Sequence, residues 1–200
     1  PKEWNALKLL NERGEFLDAQ AGAEILNTVE KEDFTYVQVD DLGQVEMRTH
    51  TIEQHIQSVM KLPLVKPETV RKAGFKVVVD AVNSTGGLAI PALLRKMGVE
   101  VVEMYCEPTG HFPHNPEPLK EHLTEIAQRV GKENADLGIV VDPDVDRLAF
   151  ICNDGEMFGE EYTLVACADY VLQHTPGNTV SNLSSSRALR DITLKHGGQY

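Results

Sequence analysis

The chain has 200 residues and carries 31 acidic against 19 basic side chains, a formal charge of -12. Its 42% hydrophobic and 25% charged content is ordinary globular composition, which argues against intrinsic disorder, and at roughly 100 to 200 residues per domain the length allows one or two domains. Without a basic stripe no nucleic-acid partner is expected, and without an apolar run of ~18 residues or a signal-like start no membrane partner is expected either, so the reading is cytoplasmic.

Both ends look cut: Pro1 opens without a methionine, and Tyr200 follows Gly197-Gly198 where a helix pattern has ended and a strand should begin. Ala6 to Leu10 and Glu15 to Leu17 read as short strands around Asn11 to Gly14, and a helix opens near Asp18 with Ile25, Leu26 and Val29 on one face. Val37 to Val45 reads as a strand region. Ile52, Ile56, Val59 and Met60 then repeat at helical spacing up to Pro63, and the stretch Pro63 to Pro67 marks an expected boundary.

From Phe75 the pattern becomes strand, turn, helix, repeated. FKVVVDAV is a β-branched run with no alternation, as a parallel strand covered on both faces requires. A turn over Asn83 to Gly87, with Ser84 or Thr85 as N-cap candidates, leads to a helix stopping at Gly98; VEVVEMY is the next strand. A long loop, CEPTGHFPHNPEP, precedes a helix expected from Leu119 to Val130 and ended by Gly131, then the strand LGIVV. LAFIC and Glu156 to Phe158, around Asn153-Asp154-Gly155, add a hairpin edge. A helix over Tyr162 to Leu172, a strand TVSNL and a helix over Arg187 to Lys195 follow. The expected fold is α/β: a mixed, mainly parallel sheet with helices on both faces, one complete βαβαβ domain (67–158) flanked by two partial α/β domains (1–66 and 159–200).

The chemistry concentrates in LGIVVDPDVDRLAFIC, where Asp142, Asp144 and Asp146 alternate just past a buried strand, at the end where open α/β sheets bind ligands. Three carboxylates so close repel one another and raise their own pKa values unless a cation lies between them. All-oxygen ligation suits Mg²⁺, Mn²⁺ or Ca²⁺. An EF-hand needs Gly at the sixth position and Glu at the twelfth, where this chain has Arg147 and Asn153. A phosphatase of the haloacid dehalogenase type, with Asp142 as nucleophile, is a closer rival, although it would normally carry Thr or Val where Asp146 stands. A non-catalytic divalent-cation-binding module is the third reading.

Several features take plainer readings. Cys106, Cys152 and Cys167 are odd in number, lack Cys-x-x-Cys spacing and are expected to be reduced core thiols. Gly86-Gly87 reads as a turn that needs glycine, His111 and His114 as loop contacts, and Ser184 to Ser186 as capping residues.

Strand, Asp142-Pro143-Asp144-Val145-Asp146-Arg147, strand and Asp154-Gly155 resemble the metal-binding loop of the α-D-phosphohexomutases, the phosphoglucomutases, phosphomannomutases and phosphoglucosamine mutases. Pro1, Trp4, Asn5 and Lys8 match the residues after that family's phosphorylated serine, and Phe112 to Pro118 resembles a loop of its second domain. The resemblance implies a piece of a four-domain enzyme: the end of domain 1 (1–66), all of domain 2 (67–158) and the start of domain 3 (159–200), inactive alone, with the serine just before Pro1. It implies an intramolecular phosphotransferase that interconverts hexose 1-phosphate and hexose 6-phosphate through a phosphoserine and a bisphosphorylated sugar. Mg²⁺ would be held by Asp142, Asp144 and Asp146, Arg147 would contact phosphate, and Lys8 would transfer a proton or stabilise phosphate. Pro143 and Val145 depart from the glycines common in that loop, and serines stand near Leu183 to Ser186 where some members have a lysine.

Overall fold

The computed structural model describes residues 7–200, so Pro1, Trp4 and Asn5 of the opening motif lie outside the described residues. The chain divides into two compact units, Pro1–Thr49 and His50–Tyr200.

In the first unit the hairpin expected around Asn11 shrinks to one antiparallel bridge, Leu10 with Phe16. The turn is held by the Asn11 side chain, whose Oδ1 accepts the N–H groups of Arg13 and Glu15. Helix α1 (Ala19–Glu30) begins where Asp18 caps it by accepting the Ala21 N–H at 2.8 Å. Its predicted apolar face, Ile25, Leu26 and Val29, is exposed. Val37 to Val45 is not a strand: it holds a 3₁₀ turn at Val39–Asp41, because a strand needs a ladder partner and the segment finds none among the described residues.

The second unit starts with α2 (Thr51–Met60), ahead of the expected boundary at Pro63 to Pro67. Ile56 is buried at 2% exposure and Glu53 pairs with Lys96, so this helix shares in the packing of the second unit. A helix not foreseen, α3 (Pro67–Ala73), has Pro at its first position and the left-handed Gly74 at its end. Then come β1 (Lys76–Asp80), α4 (Gly86–Lys96), β2 (Glu100–Met104), α5 (Thr124–Glu133), β3 (Leu137–Val141), β4 (Leu148–Cys152), α6 (Glu160–His174) and α7 (Ala188–Lys195). The sheet order is β2-β1-β3-β4, with β2 and β3 parallel to β1 and β4 antiparallel to β3.

The unbroken valine run of β1 is explained by burial on both faces. Val77 and Val79 join Leu94 of α4, Val99, Cys106 and Val141 in one core. Val78 faces the other, with Ile126 and Val130 of α5, Val140, Ala149 and Ile151. The β1-to-β2 and β2-to-β3 crossovers run in opposite directions along the sheet with their helices on opposite faces, as two crossovers of one hand require.

Other expectations shift for local reasons. A 3₁₀ turn (Lys120–His122) precedes α5, which starts five residues late and runs past Gly131 to a left-handed Asn134. Gly86 and Gly87 lie inside α4 and neither has positive φ; the turn's left-handed residues are Val82 (φ 46°) and Asn83 (φ 54°). The glycines serve close packing, since a Cβ at Gly87 would overlap the Cys106 carbonyl and one at Gly86 would press on Val141. TVSNL forms no strand: Thr179 donates one backbone bond to Gln199 and Val180 is exposed. Only Cys106 is the expected core thiol, its pKa pushed up to about 11 by burial; Cys152 is half-buried and Cys167 exposed. Ser184 to Ser186 do not cap α7, whose N-cap is Arg187 without a side-chain bond; Ser186, one residue earlier, accepts the Ala188 N–H at 3.1 Å.

Candidate metal-binding loop

The parallel strands β1 and β3 are neighbours whose connections leave toward opposite sides of the sheet, which opens a crevice at their carboxyl ends. Asp80 is the last residue of β1 and pairs in register with Val140, two positions before Asp142. Both carboxylates are therefore built by the same strand-end geometry. Both are buried, Asp80 at 1% and Asp142 at 6% exposure.

Past β3 the chain turns through Asp142 to Arg147 into the antiparallel β4. The turn is closed by Val145 N–H donating to the Asp142 carbonyl at 3.2 Å and by Arg147 N–H donating to Asp142 Oδ1 at 3.1 Å. Val145 carries a conformational cost, because its φ of 63° is unfavourable for a β-branched residue. From the neighbouring βα turn, Thr85 donates its hydroxyl to the Pro143 carbonyl at 3.2 Å instead of capping α4.

The result is that Asp142, Asp144 and Asp146 each bring a carboxylate oxygen within 4.8 Å of the others. Asp142 is buried while Asp144 and Asp146 are exposed, so one ligand lies at the floor and two at a solvent-facing rim. Burial is the chief cause that pushes Asp142 up to about 6; the Arg147 N–H works against it, and Asp144 and Asp146 add to it. Such a trio fits a hard divalent cation, which would offset the repulsion and take oxygen ligands. Asp154 and Gly155 form the β4 hairpin turn, away from this cluster in role: Asp154 Oδ1 accepts the Glu156 N–H.

Arg147 is exposed beside the trio, and its guanidinium pairs with Glu117 of the loop between β2 and α5. Lys8 belongs to the first unit, where it is exposed just before the Leu10–Phe16 bridge.

Sequence reading missed the second buried carboxylate. Asp80 Oδ1 accepts the Val82 N–H at 2.9 Å, and Oδ2 lies 2.9 Å from Nε2 of His114. His114 is therefore no ordinary loop contact: it crosses 34 residues to reach the end of β1. Its Nδ1–H donates to the Asn115 carbonyl at 2.8 Å, so both ring nitrogens face acceptors and the hydrogen bond to Asp80 holds its pKa above the usual value. An Asp at a strand end was the one available signal.

The family profile "Phosphoglucomutase/phosphomannomutase, alpha/beta/alpha domain II" matches residues 53–155, a span that holds both buried carboxylates and the whole sheet. The chain belongs to the phosphoglucomutase/phosphomannomutase family. Along its whole length it is 33% identical to a phosphoglucomutase/phosphomannomutase of Thermococcus kodakarensis and 31% identical to a phosphoglucomutase of Neisseria meningitidis. It spans 43% and 42% of those two relatives. A crystal structure of a phosphoglucomutase/phosphomannomutase family protein from Burkholderia thailandensis shares its fold, with a TM-score of 0.78 over 94% of this chain and 39% of that one, at 24% identity. No helix of the described residues is long and apolar enough to cross a membrane.

Proposed function

We propose that this chain is the metal-holding middle of a Mg²⁺-dependent phosphohexomutase that interconverts hexose 1-phosphate and hexose 6-phosphate. Residues 1–66 would close its first domain, 67–158 would be its second and 159–200 would begin its third. The observation that carries this reading is the trio of aspartate oxygens within 4.8 Å at a strand-end crevice, in a chain of this family. Family membership is also what favours it over the haloacid dehalogenase-type phosphatase and the non-catalytic cation module.

In this reading a phosphoserine just upstream of Pro1 gives its phosphoryl group to the sugar phosphate, and the bisphosphorylated sugar returns its other phosphate to the serine. Phosphoryl transfer asks the protein mainly for positioning and charge stabilisation. Asp142, Asp144 and Asp146 hold the cation, with the buried Asp142 fixed by the Arg147 N–H. A bound Mg²⁺ supplies Lewis-acid charge at a phosphoryl oxygen. Arg147 offers a planar fork of donors to phosphate, and its pairing with Glu117 occupies only part of that fork. Lys8 binds phosphate or moves a proton at the reacting hydroxyl.

A phosphosite map of the full-length protein, after incubation with Mg²⁺ and a hexose bisphosphate and with carboxyl phosphates trapped by borohydride, tests this. The expected result is phosphoserine immediately before Pro1 and an unlabelled Asp142. A trapped label on Asp142 transfers the chemistry to the phosphatase reading.

A further inference from the structure

The loop between β2 and α5, residues 105–119, carries two residues that the roles above leave unused, His114 and Glu117. Several hydrogen bonds pin it to the end of β1 and the turn that follows, three of them near His114. Asn83 Nδ2 donates to the His111 carbonyl at 3.0 Å, Gly110 N–H donates to the Asn83 carbonyl at 2.9 Å, and His114 meets Asp80. Asp80 is fixed in turn by the Val82 N–H. The next turn of the loop is equally bound: Asn115 Oδ1 accepts the Glu117 N–H at 3.0 Å, and His122 Nδ1–H donates to the Glu117 carbonyl at 2.9 Å. The Glu117 carboxylate then pairs with Arg147. Arg147 is thus held twice, by its backbone on Asp142 and by its side chain on a loop that Asp80 and His114 anchor.

We propose that Asp80, His114 and Glu117 are positioning residues for Arg147, forming a relay that fixes the guanidinium beside the aspartate trio. The inference rests on the reading that Arg147 contacts phosphate. An exposed arginine on a flexible stem otherwise samples many rotamers, and the ordering entropy is then lost on each binding event. Glu117 fixes one edge of the guanidinium and leaves further N–H donors for phosphate, so the fork is oriented before the ligand arrives. A carboxylate serves here because it accepts from a guanidinium in a defined plane. The buried Asp80 gives that carboxylate a foundation in the sheet, which a free loop lacks.

The test is a double-mutant cycle in the full-length protein, assayed for interconversion of glucose 1-phosphate and glucose 6-phosphate and of their mannose counterparts with Mg²⁺. Glu117→Gln is expected to lower kcat/KM about 10-fold to 100-fold, the scale on which misplacement of a binding group acts. The thermal midpoint should stay near that of the parent, because this ion pair is half exposed to water. In an Arg147→Ala background the same Glu117 substitution should change nothing further, because its effect passes through the guanidinium. His114→Ala should show the same loss of additivity; should it fail to fold, the Glu117 cycle decides alone. Additive losses, or an unchanged kcat/KM in Glu117→Gln, overturn the relay while leaving the mutase reading intact. A parent protein that binds Mg²⁺ but converts none of these sugar phosphates overturns the functional reading and the relay with it.

Discussion

Two strand ends of the same sheet invite comparison. β1 finishes in the buried Asp80 and β3 runs directly into the buried Asp142, and a valine with left-handed φ stands two or three residues further on, Val82 at 46° and Val145 at 63°. Asp80 is answered from within the chain, by the Val82 N–H and by a histidine whose two ring nitrogens both face acceptors. Asp142 receives one N–H, from Arg147, and otherwise meets Asp144 and Asp146. The first carboxylate is answered by a side chain that folding brings from a distant loop, whereas the second has two further carboxylates of its own loop within 4.8 Å. The difference teaches where an external cation would fit: at the strand end where one loop brings three carboxylates together.

Removing the histidine that meets Asp80 should have the largest effect. His114→Ala leaves Asp80 buried without its partner, and chemical unfolding should show a loss of about 3 to 5 kcal/mol, the usual cost of breaking a buried pair. A loss below about 1 kcal/mol, the value of a surface pair, would place Asp80 in contact with solvent. The same pair fixes a pH dependence. His114 is raised in the folded state, so its contribution is fully present below the unfolded value of 6.5 and is lost as pH rises through the folded one. Stability should therefore fall across that window in the parent but not in His114→Ala.

Supplying the external counter-charge comes next. Mg²⁺ at about 100 times its Kd should stabilise the protein by about 2.7 kcal/mol, read as a rise in melting temperature. Asp144→Asn should abolish most of that rise and weaken binding in titration calorimetry, while the metal-free circular-dichroism spectrum stays unchanged. Equal Mg²⁺ response in both proteins would remove the aspartate trio as the site.

Neutralising the buried Asp142 should help the metal-free fold. Asp142 is raised, so the folded state binds more protons than the unfolded between 3.8 and about 6, and stability declines as pH rises through that range. Asp142→Asn should remove this slope and gain on the order of 1 kcal/mol at neutral pH without Mg²⁺. A net loss would show that the carboxylate's hydrogen bond to Arg147 outweighs its repulsion. The smallest effect is expected at Val145→Gly, where relief of left-handed strain is offset by the freer unfolded chain, for a gain below about 1 kcal/mol in the melting curve.

Much of this was legible along the chain. FKVVVDAV and LGIVV declared themselves as doubly covered strands because burial on two faces removes alternation, and the aspartates declared themselves because their spacing is local. The segments misread as strands, Val37 to Val45 and TVSNL, have strand composition without a ladder partner, and composition does not carry pairing. Helix α5 ran past Gly131 because its Ile126 and Val130 face the sheet, and that packing outweighs the glycine penalty.

By itself the sequence determined the layered α/β order and the acidic trio, since period, turn residues and local charge are properties of neighbours in the chain. Only the tertiary structure decided how each of the two buried aspartates is partnered. That answer depends on His114 arriving from 34 residues away and on Glu117 reaching Arg147, and a buried charge is balanced by what folding brings beside it.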